Sequence, residues 1–167
     1  PTLLVGASLR IRSFARLMAV ETGFDAGGVV TMRLSVPPSK YRDRARWTLF
    51  HDDLVRRVSA IPGVSAAGVN SALPLEGGAS EAGVFAEGRP IVPGQADAAT
   101  LFQTSSPGYM RTMGIRLLSG RDFTAADTAD APRVVIVDDS LVRKLFPSGD
   151  PIGKRIKPGF FTYEDEK

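Results

Sequence analysis

Residues 133–157, RVVIVDDSLVRKLFPSGDPIGKRIK, decide how this chain is read. Gly149 followed by Gly153-Lys154 comes close to a phosphate-binding loop, and a true one would make the chain a nucleotide enzyme. Such a loop needs four residues between its first glycine and the Gly-Lys pair, then Ser or Thr to hold magnesium. Here three residues separate Gly149 from Gly153, and Arg155 stands where the hydroxyl should be. The order of elements is also reversed. A phosphate loop joins a strand to a following helix, so that the helix N-terminus faces the anion. In this stretch Arg133–Val137 reads as a short strand buried on both faces. Asp138–Phe146 reads as a helix, capped by Asp138 or Asp139 and striped by Leu141, Leu145 and Phe146. Pro147 stops that helix, Pro151 stiffens the connection, and Gly153–Lys157 begins another strand. The segment is a helix-to-strand connector, not a nucleotide cradle.

The same reading extends toward the N-terminus. Val29–Val36, VVTMRLSV, alternates Val30, Met32, Leu34 and Val36 against Thr31, Arg33 and Ser35, the pattern of a half-buried strand. Pro37-Pro38 ends it. Tyr41 to Ile61 predicts an amphipathic helix: Phe50, Leu54, Val58 and Ile61 form the stripe, widened by Trp47 and Val55, and Pro62-Gly63 stops it. Val64–Ala72 predicts a second strand. Strand, helix, strand in this order fits either a βαβ crossover or half of a ferredoxin-like split βαβ, and periodicity leaves both open. Leu75–Gly94 is rich in Gly, Ser, Glu and Pro. It reads as a loop enclosing a hairpin strand around Val84-Phe85-Ala86, and its glycines would let it move. Thr100–Ser105 predicts a strand, and Tyr109–Met113 a short helix with Pro107 suited to its first turn.

The beginning of the chain is ambiguous from its residues. LLVGASL at 3–9 is apolar apart from one Ser, and Arg10, Arg12 and Arg16 then alternate with Ile11, Phe14, Leu17, Met18 and Val20. The apolar run is far shorter than the roughly 20 residues a bilayer span requires. It reads as an amphipathic helix packed on its own domain, or as the last turns of a spanning helix. Pro1 in place of Met points to a processed chain or to a piece of a longer one, and no signal-peptide pattern is visible.

Composition narrows the function classes. Of 167 residues, 43% are hydrophobic and 23% charged, the balance of a globular protein. The 21 basic and 18 acidic residues leave a net charge of +3, and the two signs are interleaved, which argues against a nucleic-acid surface. The chain has no cysteine, excluding disulfides, zinc-thiolate sites and cysteine nucleophiles. His51, the single histidine, is flanked by Asp52 and Asp53, but it sits in a helix beside Phe50 and no Gly-x-Ser-x-Gly elbow exists. A packing role is expected for it. Asp122, Asp127, Asp130, Asp138 and Asp139 lack the spacing and closing Glu of a calcium loop, so a solvated acidic loop is expected. Arg42, Arg44, Arg46, Arg56 and Arg57 line one helix near Tyr41 and Trp47, diluted by Asp43, Asp52 and Asp53. An RNA-binding sheet would carry stacking aromatics on its strands, and Val29–Val36 has none. No catalytic, cofactor-binding or metal-ligating residue is expected, and the chain is not expected to be an enzyme. The alternatives from other classes are an RNA- or small-ligand-binding module on a split βαβ sheet, and a hydrolase fragment.

Five stretches, in order, carry a resemblance: LLVGASLRIRSFARLMAVETGFD at 3–25, VVTMRLSVP at 29–37, IPGVSAAGVNSALPL at 61–75, SSPGYMRTMGIRLLSGRDF at 105–123, and PRVVIVDDSLVRKLFPSGDPIGKRI at 132–156. Together they resemble the MacB-like periplasmic core domain of ABC-transporter permeases in the FtsX-like superfamily. The resemblance implies an α+β fold with a split βαβ, porter-type half and a second small α/β lobe. It implies that residues 1–22 are the end of a transmembrane helix with a connecting amphipathic helix. Residues 23–94 would be the porter-like lobe, and residues 95–167 a second lobe, incomplete at its C-terminus. Arg10, Arg12 and Arg16 would then lie outside the membrane, against the positive-inside tendency. The implied role is mechanical and extracytoplasmic, on the periplasmic side of a bacterial inner membrane. The implied partners are a cytoplasmic ATPase domain or subunit, a second permease copy and a periplasmic adaptor, with no cofactor. By position, Arg10, Ile11, Phe14 and Leu17 are the expected coupling residues next to the membrane, and the 75–93 loop the expected contact surface.

Overall fold

A computed structural model describes residues 10, 12, 14, 22–25, 27–37, 43–90, 92 and 94–159. Its centre is β1 (Ser80–Ala86), inside the stretch that the sequence marks mostly as loop. β1 pairs antiparallel with β2 (Ala98–Phe102) on one side, Ser80 opposite Phe102 and Val84 opposite Ala98. On the other side it pairs antiparallel with β3 (Ile156–Pro158), Val84 opposite Pro158 and Ala86 opposite Ile156. The sheet order is therefore β2-β1-β3. One face of β1 presents Ala82, Val84 and Ala86, all buried, as the two-residue strand period requires. Onto that face packs the helix Asp139–Leu145, and its Leu141 and Leu145 close the core against Val84, Ala86 and Ala98. Val137, Phe146 and Ile156 fill its margin.

The helices are α1 (Arg44–Ser59), α2 (Tyr109–Thr112) and α3 (Asp139–Leu145). Asp43 caps α1 by accepting a hydrogen bond from the Ala45 N–H at 3.0 Å. Asp138 caps α3, accepting from the Leu141 N–H at 2.9 Å. At the other end of α3, Arg89 donates to the Leu145 carbonyl at 2.6 Å and meets one of the carbonyls a helix C-terminus leaves open. Helices beside an antiparallel sheet make the fold α+β.

Several predicted elements differ in detail. α1 lies within the predicted 41–61 range, but Trp47 and Ile61 stay exposed while Phe50, Leu54, Val55 and Val58 are half-buried. Val29–Val36 forms no strand and joins no ladder among the described residues, and Val30 is 94% exposed. Val64–Ala72 contributes only the bridge from Asn70 to Ser105. Arg133–Val137, expected to be buried on both faces, leaves Val134 and Val135 47% and 50% exposed. A strand is buried on both faces only when flanking strands and two covering layers supply the neighbours. Among the described residues only Val137 of this run meets the core.

Candidate functional site

The expected coupling segment is only partly described. Arg10, Arg12 and Phe14 are helical and exposed, Phe14 by 65%. Ile11 and Leu17 lie outside the described residues. The chain then meets the folded body at Asp25, whose backbone N–H donates to the Met113 carbonyl just past α2 at 2.8 Å. The Asp25 carboxylate accepts from the Gly27 N–H at 2.8 Å, and the Thr22 hydroxyl donates to the Phe24 carbonyl at 3.1 Å. A second tie, the ion pair of Arg33 with Glu76, lies on the surface.

α2 is seated on residues 67–71. The Ser106 N–H donates to the Val69 carbonyl at 2.8 Å, and the Val69 N–H donates to the Ser106 hydroxyl at 2.9 Å. Next to this pair sits Asn70. Its amide nitrogen donates to the Ala72 carbonyl and to Gln103 Oε1, both at 2.6 Å. Its amide oxygen accepts from the Ser71 N–H at 3.0 Å and the Ser105 hydroxyl at 3.1 Å. The sequence reading passed over Asn70. The available signal was a lone amide among the apolar and small residues of VSAAGVNSA, a place where a half-buried polar group must find partners.

The side chains weighed for chemistry are engaged locally. His51 Nδ1 lies 2.9 Å from the Trp47 carbonyl, and its ring meets Trp47 and Phe50 edge-on, so it packs along α1 as expected. Arg56 and Arg57 both pair with Asp53, which dilutes the basic face of α1. Asp127 accepts two hydrogen bonds from Arg121, at 2.7 and 2.6 Å, and one from the Thr124 N–H at 2.7 Å. The Arg121 hydrogen bonds, with that N–H, hold its carboxyl well below the usual carboxylate range, and Arg121 is pushed up in return. Burial pushes Asp138 up, but the Ser140 hydroxyl and the Leu141 and Ser140 N–H groups outweigh it, and its pKa is lowered. Among the described residues no group of three or more His, Asp or Glu gathers as metal ligands would.

The 147–157 connector follows the C-terminus of α3 and enters β3, the reverse of a strand-to-helix phosphate loop. Asp150 turns it by accepting from the Ile152 N–H at 2.9 Å, the Lys154 N–H donates to the Pro151 carbonyl at 3.1 Å, and Arg155 pairs with Glu87 at 3.5 Å. The Gly-Lys pair is thus a turn into a strand. Within Leu75–Gly94 the expected strand around Val84-Phe85-Ala86 is present, but it is longer, Ser80–Ala86, and central to the sheet. An open depression lies over that strand, lined in part by Glu81, Phe85 and Gln95, and among the described residues Glu81 is its ionisable group.

Among the described residues no helix is long and apolar enough to cross a membrane. The family model described as MacB-like periplasmic core domain matches residues 6–164, from the basic N-terminal segment through the sheet. Neither a curated protein nor a solved structure matches the chain significantly. The chain belongs to the MacB-like periplasmic core domain family, and so to the extracytoplasmic side of an ABC-type permease.

Proposed function

We propose that the domain is a mechanical part of an efflux permease. It makes and breaks no covalent bond and needs no cofactor. It carries movement, driven by ATP hydrolysis in a cytoplasmic domain or subunit, to a second permease copy and to a periplasmic adaptor. The observation that carries the reading is the family match over 6–164, which takes in the N-terminal residues Arg10, Arg12 and Phe14 and the body in one unit. Force passes well along a helix because its backbone hydrogen bonds run parallel to its axis. Arg10, Ile11, Phe14 and Leu17 are the coupling residues on this reading, since drive that arrives along the N-terminal segment enters the domain there.

The test uses the full-length permease. It should purify from membranes together with an ATPase. Phe14→Asp should lower ATP-dependent transport about tenfold, the usual scale of coupling between two sites, while ATP hydrolysis is retained. A water-soluble product with no associated ATPase, or full transport by Phe14→Asp, would defeat the proposal.

A further inference from the structure

We infer that the contact between Asp25 and the Met113-Gly114 turn is a rigid joint, which fixes the end of the N-terminal segment to α2 and hands its movement to the sheet. The inference deepens the mechanical reading and rests on it for what drives the movement. The joint itself rests on geometry.

On the incoming side, Asp25 is held twice. Its N–H is bonded to the Met113 carbonyl at 2.8 Å, and its carboxylate closes a turn on the Gly27 N–H. Gly114 takes φ +62, a conformation that favours glycine. A Cβ at that position would stand 2.9 Å from the Asp25 Cβ and 3.4 Å from the Asp25 nitrogen. The two segments therefore meet with no room for a side chain between them.

On the receiving side, α2 is keyed into the body. Tyr109 and Met113 are each 5% exposed. Gly68 lies directly against the Tyr109 backbone, where a Cβ would come within 2.6 Å of the Tyr109 Cα. The paired bonds between Ser106 and Val69 follow, then the Asn70–Ser105 bridge, and Gln103 leads straight into Phe102 at the end of β2. Each step is a covalent link, a hydrogen bond or a backbone contact, the kind of contiguous network that transmits displacement without absorbing it in side-chain rotation. The Arg33–Glu76 pair does not compete as a route. Its side chains are 78% and 43% exposed, and exposed ion pairs hold position weakly.

The chain has no cysteine, so introduced cysteines are unique labelling sites. Spin labels at Arg12→Cys and Arg116→Cys, both exposed positions, report across the joint. Labels at Glu81→Cys and Arg116→Cys report within the body. The expected result is a narrow 12–116 distance distribution that Gly114→Val broadens about twofold, with the 81–116 distribution unchanged. A 12–116 distribution already broad in the parent chain, or unmoved by Gly114→Val, overturns the joint. Should Gly114→Val disturb the body pair, Asp25→Pro removes both holds at once, the donated hydrogen and the carboxylate on Gly27, and must broaden the same distribution. Amide exchange at Asp25 in the unsubstituted chain decides independently: protection of about 100-fold is expected, and exchange at the unprotected rate overturns the proposal. In the full permease, Gly114→Val should lower transport while ATP hydrolysis continues, and undiminished transport beside a broadened distribution overturns the mechanical role. A narrow joint in a protein without ATP-driven transport would defeat the permease reading and leave the contact standing.

Discussion

Gly68→Ala adds one methyl group to the chain and should be among its most damaging small changes. The new carbon would lie 2.6 Å from the Tyr109 Cα, 2.8 Å from the Tyr109 nitrogen and 3.1 Å from the Tyr109 Cβ. Non-bonded carbons rest at about 3.5–4.0 Å, so the overlap is about 1 Å. Two of the three atoms belong to the backbone, and no rotamer change relieves them. The 67–69 segment must instead move away from α2, stretching the two Ser106–Val69 hydrogen bonds that now measure 2.8 and 2.9 Å. Overpacking of this kind costs about 1–3 kcal/mol, and each weakened hydrogen bond adds up to about 1 kcal/mol. With partial relaxation the loss is about 3 kcal/mol, or about 6–12 °C in Tm for a chain of this size. The same substitution at Gly149 is the control. Nothing lies within 4 Å of a Cβ there and the backbone is not left-handed, so Gly149→Ala should gain about 0.5 kcal/mol by restricting the unfolded chain. Urea unfolding followed by far-ultraviolet circular dichroism measures both. If Gly68→Ala falls within about 1 kcal/mol of Gly149→Ala at unchanged m-value, the close approach of residue 68 to α2 is not real.

Two further outcomes are expected. Leu145→Ala removes a core side chain packed on β1 and should cost about 2–4 kcal/mol, while Val134→Ala, half exposed, should stay within about 0.5 kcal/mol of the parent; equal losses in urea unfolding would reject the core assignment. Because Asp127 has a folded-state pKa lowered from 3.8, its contribution is present above that pH and is lost as pH falls below it. Stability measured from pH 6 to pH 2 should therefore fall more steeply in the parent than in Asp127→Asn below about pH 4, and parallel curves would reject the Arg121–Asp127 clamp.

What the sequence made legible follows from where the signal is local. α1 and α3 were readable because a period of 3.6 is written in neighbouring residues, and Asp138 before Leu141 and Leu145 also marks a cap; the Asp43 cap was not legible, since the stripe alone carries the helix back to Tyr41. The 147–157 connector was readable because a phosphate loop fails on spacing alone. β1 was nearly hidden. SEAGVFA offers small and polar residues where a central strand is expected to be branched and apolar, and its place in the sheet comes from partners about 18 and 72 residues away. Arg133–Val137 misled in the opposite sense, since an apolar run reports what could be buried, not which neighbours are present to bury it. The joint at Asp25 left almost no mark: its donor is a backbone N–H, which any residue but proline supplies, and only Gly114 hints at it. Asn70 was visible as a polar residue among small ones but gave no direction to its partners.

These cases share a cause that also bears on how the domain works. Among the described residues Val84 is the only large side chain buried below 2% exposure, and the other buried core positions include Ala72, Ala82, Ala86 and Ala98. Close contact comes instead from backbone meeting backbone, or meeting a Cβ that no rotamer change moves. A Cβ on Gly83 would stand 2.7 Å from the Ala96 Cβ, one on Gly159 would stand 3.2 Å from the Gly83 carbonyl oxygen, and Gly68 and Gly114 are as tightly placed. Side chains can change rotamer under load and absorb a displacement, whereas hydrogen-bonded backbones in direct contact can only move together. A body built this way gains modest stability from apolar burial and much of its stiffness from fit. Its sensitivity to mutation should follow the same division, with added atoms at residues 68, 83 and 114 disturbing it more than the removal of atoms from most of its side chains.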